Sequence, residues 1–239
     1  FAYKELDFKR ERPYLAPFTL VFMVNNICAT DCVYCYANKS VKATPIAFER
    51  VKTLIEEAHE LNVTKFDIVG GEVLLYKQWK ELFQLLKENG FGGTLVSTKV
   101  PIDEETVIAL KELGLRVQIS LDAIDSGRLQ QILNVGPMYA ERIQRSIELL
   151  EKHQVTFQIA TVLTKHNNCV EDLNAIYEFL FRFKKLRRWE IRIAFKSLYS
   201  RGDFDRFKLS REDVEQVDTW VKEVRQKTKM YIQWSPSTE

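Results

Sequence analysis

Phe18-Thr19-Leu20-Val21-Phe22-Met23-Val24 runs through Asn25-Asn26-Ile27 into Cys28-Ala29-Thr30-Asp31-Cys32-Val33-Tyr34-Cys35. The first seven residues are apolar on both faces apart from Thr19, the pattern of a buried strand, so the cysteines sit on the loop after a strand's carboxyl end. Next, Thr44-Pro45 reads as an N-cap followed by proline at the first helical position. Phe48, Val51, Leu54, Ile55, Ala58 and Leu61 then fall on one helical face. Strand, loop and helix make one βα unit.

The unit recurs five more times, with strands expected at 65–69, 94–98, 115–121, 155–163 and 189–195. Helical spacing of Trp79, Leu82, Phe83 and Leu86, of Val107, Leu110 and Leu113, of Ile143, Ile147 and Leu150, and of Leu173, Ile176, Tyr177 and Leu180 fills the intervals. Gly90, Gly92-Gly93 and Gly114 stand where helices should stop. Ser210 with Asp213 announces a last helix through Val214, Val217, Val221 and Val224, and Met230 to Trp234 reads as a further strand. Few hairpin signals interrupt this rhythm, which predicts an α/β fold with a parallel sheet. Periodicity leaves a doubly wound sheet and a barrel-like sheet both open; in either, ligands gather at the carboxyl ends of the strands.

Composition bounds the function. At 239 residues, with 46% hydrophobic and 28% charged residues, the chain can bury a full core as one domain without disulfides or a structural metal. A formal net charge of +2 argues against a dedicated nucleic-acid binder, although a local basic face such as Lys184-Lys185 with Arg187-Arg188 is compatible with it. No run approaches the ~20 apolar residues that span a bilayer, and Phe1 to Arg10 lacks a signal-peptide stretch, so the expectation is a soluble cytoplasmic protein.

Three of the four cysteines, Cys28, Cys32 and Cys35, lie within eight residues, and Cys169 is far away. A tight cluster in such a chain points to metal or redox chemistry. Tetrahedral zinc would need a fourth ligand, and His59, His153 and His166 supply none of the usual spacings. A four-iron cluster can take three thiolates and leave one iron open for a small ligand. The C-x-x-x-C-x-x-C run with Tyr34 before its last cysteine resembles the radical S-adenosylmethionine (SAM) enzymes, whose defining loop has that spacing and usually that aromatic.

This resemblance implies a partial (β/α)6 TIM-like barrel with the cluster on the loop after its first strand. It also implies three stretches: a lead-in at 1–17, the barrel at 18–200, and a helix and strand at 201–239. The metal ligands are then Cys28, Cys32 and Cys35. Gly70-Gly71-Glu72 matches the family motif that contacts the methionyl amino group, with Val73 in place of the common proline. Ser97 and Thr98 stand where many relatives have Thr-Asn-Gly, with Lys99 replacing the asparagine, and Ser120-Leu121-Asp122 resembles the segment whose serine contacts the cofactor. Tyr34 and the strand end at Leu163 would lie near the adenine, and one of Arg128, Arg142 and Arg145 near the cofactor carboxylate. Alone, Asp122 also has a secondary reading as a helix or loop cap, whereas His166 reads first as a surface loop residue and Cys169 as a lone structural thiol.

The activity so implied is reductive cleavage of SAM at a 4Fe-4S cluster, giving a 5′-deoxyadenosyl radical for C–H abstraction by an oxidoreductase or peptide maturase. An external one-electron donor such as a flavodoxin would supply the electron. The lead into the first strand, the Ser-Leu-Asp segment and the final helix and strand look like the peptide- and protein-maturing SPASM/twitch subgroup with its carboxy-terminal extension absent, hence one cluster and a peptide or protein substrate. A small metabolite or RNA substrate, or a zinc-binding scaffold, are the alternatives.

Overall fold

Alternating β-type runs and amphipathic stretches set the architecture. In a computed structural model, which describes residues 17–38, 46–197, 199 and 202–236, the order is β1 (Thr19–Met23), α1 (Phe48–Glu60), β2 (Lys65–Val69), α2 (Trp79–Glu88), β3 (Leu95–Thr98) and α3 (Glu104–Glu112). There follow β4 (Arg116–Ser120), α4 (Ser126–Leu133), α5 (Tyr139–Lys152), β5 (Phe157–Leu163), α6 (Val170–Phe181), β6 (Leu186–Ile193), α7 (Arg211–Lys227) and β7 (Ile232–Ser235). Every ladder is parallel: β1 pairs with β2, and β3, β4, β5, β6 and β7 pair in chain order. A doubly wound sheet would reverse its strand order at a switch point. None reverses here, so the strands follow the singly wound path of a partial TIM-like barrel, interrupted by a seam without ladder bonds between β2 and β3.

The helices cover one face of this arc. Val51, Ile55, Leu82, Phe83, Leu86, Val107, Leu110, Ile143, Ile147, Leu173 and Ile176 all reach the main core, as their 3.6-residue spacing requires. Trp189 on β6 meets Trp220 of α7 edge to face at 5.8 Å and donates its Nε1–H to Thr161 Oγ1 at 2.9 Å, so the bulkiest core side chain leaves no orphaned donor. The opposite face is polar. Gln158 Nε2 donates to Gln118 Oε1 at 2.7 Å, and Gln118 Nε2 donates to Ser97 Oγ at 2.8 Å, a row set by the register Ser97, Gln118, Gln158 across three strands.

Four expectations change. β1 is not buried on both sides: Leu20 and Phe22 pack on the core, but Val21 is 68% and Met23 51% exposed, because strand alternation puts them on the other face, which the described residues leave uncovered. Thr44 and Pro45 lie outside the described residues; α1 begins at Phe48 with Ala47 as its N-cap and no side-chain cap, and Leu61, its C-cap, is exposed. The sixth strand starts three residues earlier than expected, at Leu186. Helix α4 was not anticipated at all.

The expected cap of the last helix is present as a full capping box: Asp213 N donates to Ser210 Oγ at 3.2 Å and Ser210 N to Asp213 Oδ2 at 2.7 Å. Ser210→Ala should therefore lower unfolding free energy by about 1 kcal/mol, read as an earlier urea midpoint with unchanged slope.

Candidate functional site

The cysteine loop is held first by backbone. Val24 N donates to Val69 O at 3.1 Å and Gly71 N to Asn25 O at 3.0 Å, continuing the β1–β2 contact past the strand ends. A Cβ on Gly71 would lie 2.2 Å from Ile27 O, and one on Gly70 2.7 Å from Asn25 O. The glycines are thus demanded by the cysteine loop pressing on the chain after β2, in addition to any ligand that approaches. Buried Asn25 completes the join: its Nδ2 donates to Glu72 O at 3.1 Å and its Oδ1 accepts from Ile27 N at 2.9 Å.

On its other side the loop leans on α4. Asp31 N donates to Leu133 O at 2.8 Å and Val33 N to Ile132 O at 2.9 Å, using carbonyls that a helix end leaves unpaired. Buried Cys32 packs in a small cluster with Ala123, Leu129, Ile132, Leu133 and Ala140, and Tyr34 and Cys35 pack against it. Thr30 Oγ1 lies 3.4 Å from Cys28 Sγ and 3.3 Å from Cys32 Sγ, drawing two thiols toward one hydroxyl. Burial pushes the Cys32 thiol up, with the Lys99 ammonium pulling the other way.

Asp122, fully buried at the end of β4, joins four elements. Its Oδ2 accepts from Tyr34 OH at 2.5 Å and from Lys99 Nζ at 3.3 Å, and its Oδ1 from Val162 N at 2.8 Å. Asn167, also fully buried, donates to the Asp122 carbonyl at 2.7 Å. Lys99 Nζ also lies over the Tyr34 ring at 5.3 Å, and Lys99 O accepts from Tyr139 OH at 2.6 Å. Burial alone would lower the Lys99 ammonium, but the facing Asp122 carboxylate leads the effects that hold it above its ordinary value. Glu72 Oε2 accepts from Lys99 N at 2.9 Å and Oε1 from Leu74 N at 3.3 Å; burial nonetheless raises this carboxyl.

One cavity of about 210 Å³ at the carboxyl ends of the strands is bordered by Cys28, Cys32 and Cys35 with Gly70, Gly71 and Glu72. Tyr34, Ser97, Thr98 and Ser120 of the expected set also border it. Asp122 lies behind Tyr34 and Lys99, and the Leu163 side chain is not brought to the cavity but buried in the main core, its carbonyl accepting from Ala194 N. Arg128 is engaged elsewhere, by Asp172 at 2.6 Å and by the His166 carbonyl; Arg145 faces Glu148, and Arg142 borders a separate hollow with Met138. Lys99 is the cationic side chain that the cavity holds instead. Asn25 and α4 had local signals, a polar residue ending an apolar strand and Asp125 before Leu129, Ile132 and Leu133, but neither carries chemistry that draws attention. Among the described residues no three His, Cys, Asp or Glu side chains converge on a single-ion position. Thiols ranged around a cavity suit a group offering one metal to each sulfur better than one ion needing all of them at about 2.3 Å.

The family model described as the radical SAM superfamily matches residues 22–180. A GTP 3′,8-cyclase of Desulforamulus reducens is 29% identical over 147 residues, covering 58% of this chain and 45% of the cyclase. An AdoMet-dependent heme synthase of Methanosarcina barkeri is 24% identical over 220 residues, covering 91% of this chain and 61% of the synthase. Streptococcus suis SuiB, in its crystal structure bound to the precursor peptide SuiA, aligns with a TM-score of 0.77 at 17% identity, over 92% of this chain and 49% of that one. The chain therefore spans less than two thirds of each of these relatives, and the likeness to SuiB is one of fold.

Because a Cβ at residue 71 has nowhere to go but into the loop backbone, Gly71→Ala should loosen the loop around buried Cys32. Titration of the metal-free chain with an aromatic disulfide reagent should show Cys32 passing from slow to fast reaction, with the far-ultraviolet circular dichroism unchanged.

Proposed function

Since the chain belongs to the radical SAM superfamily, a family of enzymes that uses a 4Fe-4S cluster and S-adenosylmethionine, we propose that Cys28, Cys32 and Cys35 hold the cluster and that the protein cleaves SAM to modify a peptide or protein. The observation that carries the cofactor assignment is the meeting of all three thiols with Gly70-Gly71-Glu72 around one cavity. Bound together and given one electron by an external reductant, the two cofactors would supply methionine and a 5′-deoxyadenosyl radical able to take a hydrogen atom from a substrate C–H bond.

The chain's own residues bind, orient and exclude water. Gly70 and Gly71 let the cysteine loop close onto the end of β2, and Glu72 spans the seam to Lys99, which fixes the cavity wall. Ser97 and Ser120 border the cofactor space from β3 and β4, while the Thr98 hydroxyl is taken up by the Val100 backbone and shapes the wall instead. Tyr34, held by Asp122, packs on the cluster that buries Cys32 and keeps water from that thiol. Lys99, in the place the family gives to asparagine, balances the buried Asp122 carboxylate and borders the cavity beside the thiols.

The peptide reading is supported by the precursor-peptide complex of the similarly folded SuiB. A second reading, a small-molecule substrate, is favoured by the names of the cyclase and the heme synthase, which are closer in sequence. Stimulation of 5′-deoxyadenosine release by a cell-extract fraction separates them: protease treatment abolishes the stimulation if the substrate is a peptide and leaves it if the substrate is a metabolite.

After anaerobic reconstitution with iron and sulfide, the chain should absorb broadly in the visible and release 5′-deoxyadenosine from SAM under reduction. Cys32→Ala should take up no cluster and cleave no SAM; retained cleavage would remove the ligand assignment. Glu72→Ala should keep its iron content and weaken SAM affinity by about tenfold or more, measured by equilibrium binding.

A further inference from the structure

Beside the cysteine cavity the rim of the sheet carries a larger hollow, of about 1170 Å³, between the loop after β5, the end of β6 and the start of α7. Its walls bring together Lys165, Lys196, Lys208 and Arg211; Asp205 lies 3.8 Å from Lys196, and Glu215, one turn along α7, holds Arg211 at 2.9 Å, so the lining itself carries four cations and one carboxylate with Arg211 shared. Its floor is apolar, made by Ile193, Leu209 and Val214 with buried Phe204, and Phe195 at its edge is 61% exposed. Ala194 and Phe204 also belong to a small buried cluster on which Val33 and Tyr34 pack. The hollow and the cysteine loop thus pack against one small cluster of side chains.

We propose that this hollow docks an acidic segment with apolar anchors on the peptide substrate, a step that rests on the peptide reading given above and adds where and by what chemistry the substrate is gripped. Four cations around an apolar floor match a chain that alternates carboxylates with apolar side chains: the anchors leave water on the floor while the carboxylates stay at the wet rim. The capping box of α7 uses Ser210 and Asp213 internally, so the attraction comes from the side-chain cations and not from the helix end. A polyphosphate backbone would find no use for the floor, and a net charge of +2 gives a nucleic acid little long-range field. Because Tyr34 packs on that same cluster, a segment seated here would lead its neighbouring residues across the rim to the cavity.

The test uses the reconstituted chain and a short fluorescein-labelled peptide alternating glutamate and leucine, followed by fluorescence anisotropy at low salt, with the lysine–leucine counterpart as comparison. The glutamate peptide should bind more tightly, and Lys165→Glu/Lys208→Glu should weaken it by about tenfold or more. Lys184→Glu/Lys185→Glu, the same charge change at the amino end of β6, should weaken it less than about twofold. Both lysines of the first pair are exposed, so folding is preserved, and circular dichroism checks it. Equal binding of the two peptides, equal loss in the two double variants, or stronger binding of a short single-stranded RNA would each overturn the docking site. These outcomes leave the peptide reading standing if stimulation of 5′-deoxyadenosine release stays protease-sensitive; loss of that sensitivity removes both.

Discussion

Two missing side chains govern the carboxyl end of this sheet. At Gly70 and Gly71 the chain leaving β2 passes so near the backbone at Asn25 and Ile27 that any Cβ would overlap it, by far the most at Gly71. That proximity lets Asn25 accept the Gly71 N–H and reach the Glu72 carbonyl, and it fixes where the cysteine loop starts. Once the start is fixed, the carbonyls at the end of α4 fix the middle of the loop, and the thiols follow. The site is thus built mostly from backbone contacts, which side-chain chemistry then decorates.

Asp122 plays the corresponding part in the charged layer. A fully buried carboxylate is costly unless satisfied, and this one accepts from a phenol, an ammonium and a backbone N–H on three separate elements. Its position is in turn secured by Asn167, which donates to the carbonyls of Asp122 and Val162. A change at Asn167, outside the cavity, therefore reaches the cavity through Asp122 and Tyr34.

Much of this was legible from residues alone, for identifiable reasons. The cysteine spacing and the 3.6-residue runs are local patterns, and they placed six strands, most helices and the cysteine loop at the end of β1 to within a few residues. Hidden features depended on contacts distant in sequence. Val21 and Met23 read as core because apolarity does not say whether both faces of a strand are covered. The glycines read as ligand-facing because nothing in Gly-Gly-Glu reveals that a loop more than forty residues earlier lies against them. Lys99 looked like a departure from a family pattern, yet it is the hub of three contacts, to Glu72 after β2, Asp122 after β4 and Tyr139 of α5. Arg128 offered the right charge and the wrong surroundings, since Asp172 holds it on the side of α6.

The seam between β2 and β3 has a mechanical meaning. Bending a ladder means breaking several backbone bonds at once, whereas the seam is held by side chains and loops: Glu72 on Lys99 N, Tyr34 on Asp122, the cysteine loop on the end of α4, and the core beneath. The two halves of the arc are therefore joined at the mouth of the cavity by side chains that also border it, so whatever fills the cavity bears on the same joint.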